Sequence, residues 1–214
     1  MRITIPPPGE SAVTDGVSWT DFLAILDELG ETRGSRVAYD QGRLEIVSPS
    51  KLHERVGSLL GRFVEILTLE LGMDIESIKA TTLLREDLQK GAESDECFYI
   101  ANEPLVRPYD DVDPSRNPPP DLVIEIDVSR ECVNRLAIYA AMGVPEAWRY
   151  HDGELDVLVL KDGEYVEVEV SPTFPDHPIA EFLRLVERRH ELSDTELARR
   201  FQAWVRERTG SSGA

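Results

Sequence analysis

The chain has 214 residues, 41% hydrophobic and 30% charged, enough to bury one sizeable core with room for an appendage. With 23 Lys and Arg against 41 Asp and Glu, the formal charge of −18 excludes loose electrostatic adhesion to nucleic acid or to an anionic membrane. No apolar run approaches the roughly 18 residues of a membrane span, and no basic, apolar, small-residue leader opens the sequence, so a cytoplasmic protein without membrane contact is expected.

Residues 1–17 begin with the Pro-rich MRITIPPPGESA and are expected to form an N-terminal arm, mobile or ordered on contact. Ser18, with Asp21 three places on, has the spacing of a helix N-cap, and Trp19, Phe22, Leu23 and Leu26 supply an apolar face that stops at Gly30. RVAYDQGRLEIVS predicts a hairpin around Asp40, Gln41 and Gly42. Val56, Leu59, Leu60, Phe63, Val64 and Leu67 then recur at helical spacing, between Ser/Pro punctuation and Gly72, and mark the strongest helix of the chain. DIESIKATTLLRE and DECFYIAN are expected as strands, followed by a Pro- and Asp-rich loop from about Asn102 to Pro120.

Beyond the strand PPPDLVIEIDVS, RECVNRLAIYAAMG predicts a helix ending at Gly143, and two Asp-Gly turns divide the next stretch into a meander. Two helices close the chain, the second announced by Ser193 and Glu196. The order indicates an α/β (mixed α+β) domain built around one central mixed sheet flanked by helices, over residues 18–175. Residues 176–214 are expected as a helical extension packed on the same domain. Cys97 and Cys132 have neither metal-ligand spacing nor a disulfide framework, and are expected as buried small hydrophobes.

The strand at 118–129 carries the chemistry. Side chains alternate along a strand, so Asp121, Val123, Glu125 and Asp127 share the face opposite Leu122, Ile124 and Ile126. Three carboxylates on one face repel one another unless a metal ion or a basic group sits beside them, although a strand with one solvated face reads the same way. Asp95, on the preceding strand, adds a fourth acid. Carboxylates from neighbouring strands suit a hard dication such as Mg²⁺, which keeps positions open for water and phosphate.

SDECFYI, PPPDLVIEIDVS, NRLAIYAAMGVPEAWRY and LKDGEYVEV, in that order, resemble the PD-(D/E)XK nuclease superfamily, and within it the Uma-type restriction endonucleases. The resemblance runs from about Trp19 to the end of the meander. It implies a restriction-endonuclease-like core, Mg²⁺ (or Mn²⁺) as cofactor, DNA as substrate and a homodimer. Carried over, Asp95 matches the first-strand aspartate and Glu125 the acid of the next strand; Asp121, from its place on the same strand, is expected either as a further metal ligand or as a polar residue at the strand start. Asp127 stands where the superfamily has lysine, and Arg135 on the following helix takes the place of that cation. Arginine stays protonated, so it can hold a phosphate oxygen or neutralise the acids but cannot act as a base. The predicted catalytic set is therefore Asp95, Glu125, Asp127 and Arg135, with His53 at the start of the long helix either contacting substrate or serving as a capping or surface histidine. DNA contact is assigned to a local basic rim, with seven arginines between Glu181 and Arg208, a stretch that also reads as salt-bridged helix surface. The rival reading is a catalytically inactive nuclease-fold module that binds or regulates. Glycoside hydrolysis by paired carboxylates is disfavoured by the 7% aromatic content.

Overall fold

A computed structural model describes residues 4–30, 34–79, 81–127 and 133–211. The strands are β1 (Ser11–Asp15), β2 (Arg36–Asp40), β3 (Arg43–Val47), β4 (Glu76–Ser77), β5 (Thr82–Arg85), β6 (Lys90–Glu93), β7 (Glu96–Tyr99), β8 (Leu122–Asp127), β9 (Glu146–His151), β10 (Glu154–Lys161) and β11 (Glu164–Val168). The helices are α1 (Trp19–Leu29), α2 (Lys51–Leu71), α3 (Glu103–Val106), α4 (Arg135–Met142), α5 (Ile179–Val186) and α6 (Asp194–Ser211).

The strands form two sheets. One is antiparallel, in the order β1-β3-β2-β6-β5; the other is β11-β10-β9-β8-β7-β4, antiparallel except where β8 runs parallel to β9. Parallel neighbours need a crossover, and α4 provides it. The mixed α+β class and the central mixed sheet are as expected; the antiparallel sheet is additional.

Caps fall where the sequence places them. Ser18 accepts from Asp21 N at the start of α1, Ser50 accepts from His53 N at the start of α2, and Gly72 ends α2 in the left-handed region (φ 65°), where glycine meets no Cβ penalty. The apolar stripe of α2, including Leu60 and Phe63, packs on Phe98, Ile124 and Ile126 of the mixed sheet and on Phe182 and Phe201 of α5 and α6. Each such side chain, fully buried, contributes about 1.5 to 3 kcal/mol. The other face of that sheet, through Cys97, Val123 and Ala147, meets Ile138, Tyr139 and Met142 of α4 and Ala38, Leu83 and Ala92 of the antiparallel sheet. The mixed sheet is thus buried on both faces, which explains why β8 is apolar on both sides until Glu125.

Several elements differ from expectation. Ser11–Asp15, placed in the N-terminal arm, pair with Val47 back to Arg43 as β1. Alternating side chains with no helical period suit an added edge strand, and the Pro-rich stretch before it is anchored where the Ser48 hydroxyl donates to Pro6 O. The single strand expected in DIESIKATTLLRE is two, β4 and β5, which lie in different sheets. β6 and the short α3 have no counterpart in the sequence reading. Cys97 is buried as expected; Cys132 lies outside the described residues.

Candidate active site

Asp95 directly precedes β7. The ladder with β8 ends at Glu96, which pairs with Ile124, and Asp95 just before it lies on the α2 side, close to Gly57. Asp95 N donates to Ile124 O at 3.2 Å, and its Oδ2 accepts from Ile126 N at 2.8 Å, so the carboxylate clasps the end of β8. His53 Nε2, from the first turn of α2, is 3.2 Å from the same Oδ2, and Arg36 Nε is 3.9 Å from Oδ1. Oδ1 itself is buried and has no hydrogen-bond partner among the described residues. Such an oxygen is costly unless something occupies the space before it.

This end opens into a cavity of about 280 Å³ lined by Arg36, His53, Glu54, Lys79, Asp95 and Glu96. Glu96 points to the α2 face, and Gly61 makes room for it: a Cβ there would stand 2.6 Å from Glu96 Cδ. Burial, opposed by Lys79, pushes the Glu96 carboxyl up to about 7.

Glu125 belongs to the opposite face. Tyr139 Oη donates to Glu125 Oε1 at 2.5 Å, and Arg135 Nη1 is 3.4 Å from Oε2, with both Glu125 and Arg135 almost wholly buried. Burial, then the charge of Glu125, raises the Tyr139 phenol well above its ordinary value, so it stays a donor. Arg135 occupies the first turn of α4, where a cation opposes the helix dipole, so its position is set by Glu125 rather than by helix preference. Asn134 caps α4 by accepting from Ala137 N. A cavity of about 750 Å³ lies in front, lined by Glu125, Asp127, Arg135, Arg149, Glu164 and Tyr165. Burial raises the Asp127 carboxyl, offset in part by Arg149 and His151.

The structure therefore brings Glu125, Asp127 and Arg135 to one cavity and Asp95 and His53 to another, joined through the adjacent strand ends. Asp121 is in neither. Its Oδ2 accepts from Ile100 N at 2.7 Å and Asn102 N at 2.9 Å, while Oδ1 accepts from Asn102 Nδ2 at 3.1 Å. The expected metal ligand is instead a clasp for the turn after β7: it precedes β8, where the alternation that would aim it at Glu125's surroundings has not begun. The basic rim is largely neutralised too. Arg184, Arg188, Arg189, Arg200 and Arg206 pair with Glu181, Glu191, Glu187, Glu196 and Glu70 respectively.

Sequence reasoning missed Arg36, Tyr139, Arg149 and Lys79 as site residues. Tyr139 carried a signal: it stands four places after Arg135, one helical turn on, so the two share a face. Arg36 and Lys79 carried none, because they come from other strands and loops that only the fold assembles.

The family described as Uma2, "Putative restriction endonuclease", matches residues 19–183. The chain belongs to this family. Among solved structures, the crystal structure described as a "putative nuclease belonging to DUF820" from Anabaena variabilis is similar over 78% of this chain and 97% of that one, with a TM-score of 0.54 and 16% sequence identity. That similarity shows the fold. The search of curated proteins gave no match. Among the described residues, no helix is long and apolar enough to cross a membrane.

Proposed function

We propose that this Uma2 chain is a metal-dependent endonuclease that hydrolyses DNA phosphodiester bonds, with Asp95 as a ligand of a Mg²⁺ or Mn²⁺ ion on the α2 side of the sheet and Glu125 as a carboxylate of the cavity on the other side. The observation that carries the reading is the buried Asp95 Oδ1 without a hydrogen-bond partner among the described residues. Hard carboxylate oxygens of this kind fit a hard dication. When bound, the ion supplies Lewis-acid activation of water and neutralises charge on phosphate.

The chain's own groups do the rest. His53 and Ile126 N fix the Asp95 carboxylate through Oδ2, which leaves Oδ1 directed by geometry rather than free to rotate away. Tyr139 and Arg135 hold Glu125 in one orientation. Arg135 offsets the acid's charge without being able to accept a proton. Asp127, in the same cavity, is a further carboxylate facing substrate. A homodimer and a cytoplasmic setting belong to the same proposal, the latter consistent with the buried free thiol of Cys97.

The inactive-module reading is favoured by one observation: both Glu125 oxygens already meet Tyr139 and Arg135. A plasmid nicking assay across divalent ions separates the two. The nuclease reading expects nicking that chelator abolishes and that Asp95→Asn and Glu125→Gln each reduce by at least about a thousandfold. Cleavage that persists in both variants defeats the assignment; absence of wild-type cleavage, with a dication still raising thermal stability, supports the inactive module.

A further inference from the structure

Lys79 stands where the chain passes from one sheet to the other. Ile78 N donates to Cys97 O at 3.0 Å, which continues the pairing of β4 with β7 in the mixed sheet, whereas β5, from Thr82, belongs to the antiparallel sheet. Between them Thr81 N and Thr81 Oγ1 both donate to Ile78 O, at 3.2 and 2.6 Å, and close a tight turn over Lys79. The turn is held at both ends, by β7 on one side and by the pairing of β5 with β6 on the other.

The backbone of Lys79 is left-handed, at φ 47°. Residues with a Cβ rarely adopt that region, and single cases are held there by their surroundings. Among the described residues five non-glycine positions do so, and the other four have an evident cause. Gln41, Asp152 and Asp162 each precede a glycine in a two-residue hairpin turn, and Gln89 ends the 3₁₀ helix Glu86–Leu88. Lys79 has no such cause: the strands on either side of it lie in different sheets, so no hairpin twist asks for a positive φ. The conformation persists where the side chain lines the Asp95 cavity. Of the cations there, Arg36 is committed, with Nη2 3.4 Å from Glu54 and Nε 3.9 Å from Asp95. Lys79 is exposed and has no ion pair among the described residues. One cavity of about 280 Å³ thus contains an acid oxygen without a hydrogen-bond partner and a cation without an acid. A phosphodiester held before Asp95 Oδ1 through a dication keeps further oxygens for a cation of the chain, and Lys79 is the uncommitted one.

We infer that Lys79 is the phosphate-binding cation of the Asp95 cavity, its ammonium group holding a non-bridging oxygen of the DNA backbone. The inference rests on the reading of Asp95 as a ligand in a metal-dependent nuclease. In the hydrolysis, water forms the new bond to phosphorus and the bond from phosphorus to the leaving sugar oxygen breaks; one proton of the water is released and one reaches that oxygen. Lys79 makes no covalent bond in the step and offsets negative charge on the phosphate oxygens. A lysine is a compact point charge on a flexible stem, so a fixed turn at its base limits where that charge can go.

The test uses the full chain and three variants: Lys79→Gly, Lys79→Arg and, as a control, Arg200→Ala, whose arginine already pairs with Glu196. Glycine suits the left-handed backbone, so Lys79→Gly should fold with a Tm close to that of the wild type. A short fluorescein-labelled DNA duplex is titrated in Ca²⁺ at several salt concentrations. Lys79→Gly should bind about tenfold more weakly near about 0.1 M salt, with a slope of log affinity against log salt smaller by about one. Lys79→Arg should keep the slope, and Arg200→Ala should match the wild type; a lysine that only holds the turn gives no change of slope. In Mg²⁺, plasmid nicking by Lys79→Gly should lose about a hundredfold in kcat. An unchanged slope in Lys79→Gly overturns the inference, and nicking by the wild type in that case leaves the nuclease reading standing. A reduced slope beside a wild type that never nicks upholds the phosphate contact and removes the hydrolytic reading instead. A wild type that binds no duplex overturns both. Should Lys79→Gly not fold, Lys79→Asn, which also tolerates a positive φ, replaces it and is read the same way.

Discussion

Asp95 and Glu125 stand at adjacent strand ends, yet they are held from opposite faces of the sheet. Asp95 turns to the α2 side, where His53 and Ile126 N take one oxygen and the other meets only a distant Arg36. Glu125 turns to the α4 side, where Tyr139 and Arg135 meet both oxygens. The difference separates two ways of burying a charge. Glu125 is stabilised by the protein alone, and Asp95 keeps an unmet oxygen that a ligand can complete.

That contrast breaks most visibly at Arg135. Removing one partner of a buried ion pair leaves the other charge desolvated and uncompensated, at about 3 to 5 kcal/mol. Arg135→Ala is therefore expected to lower unfolding stability by that amount in urea titrations, whereas His53→Ala on the Asp95 side should cost clearly less, because Ile126 N still holds Asp95. Equal losses would show that the two acids are held alike.

The second test uses pH. Glu96 shares the Asp95 cavity and is raised from 4.5 to about 7 by burial. Its folded form holds a proton that the unfolded chain releases near 4.5, so the native state binds more protons in between and unfolding stability falls as pH rises. The contribution is fully present below about pH 4.5 and lost as pH passes 7. The shift corresponds to about 3 kcal/mol. In chelator, the wild type should lose roughly that much relative to Glu96→Gln between about pH 4.5 and 8, with no such divergence if Glu96 were solvated.

A smaller effect belongs to Tyr139. Tyr139→Phe keeps the packed ring and removes only the hydrogen bond to Glu125. A hydrogen bond to a charged group is worth about 1.5 to 3 kcal/mol, and that loss in urea unfolding is the expected outcome.

What was legible in the sequence follows from range. The caps at Ser18 and Ser193, the period of α2 and the two Asp-Gly turns act within a few residues, and the structure repeats them. The alternation of β8 correctly put Glu125 and Asp127 on one face, but it was extended one step too far, to Asp121, which precedes the strand and serves the turn after β7. The fold class was readable from element order. The split of residues 76–85 between two sheets was not, because strand partners are chosen by long-range packing that no local pattern records. For the same reason Arg36 could not be seen beside Asp95, nor Arg149 beside Asp156.

The smallest effect is expected where the sequence offered its most visible basic region. The arginines between Glu181 and Arg208 suggested a rim for phosphate, and five of them already face carboxylates. A paired guanidinium gains little from a phosphate, since the new contact replaces an old one and strands a glutamate nearby. Each phosphate neutralised by a free cation adds roughly 0.9 to the slope of log affinity against log salt for duplex DNA. Replacing Arg188, Arg200 and Arg206 together by Ala should therefore leave that slope almost unchanged in fluorescence anisotropy. Replacing Lys79, which lines the Asp95 cavity, should reduce it by about one. The reverse ranking would move DNA contact out to the helices and would make the two cavities a dead end for the strand.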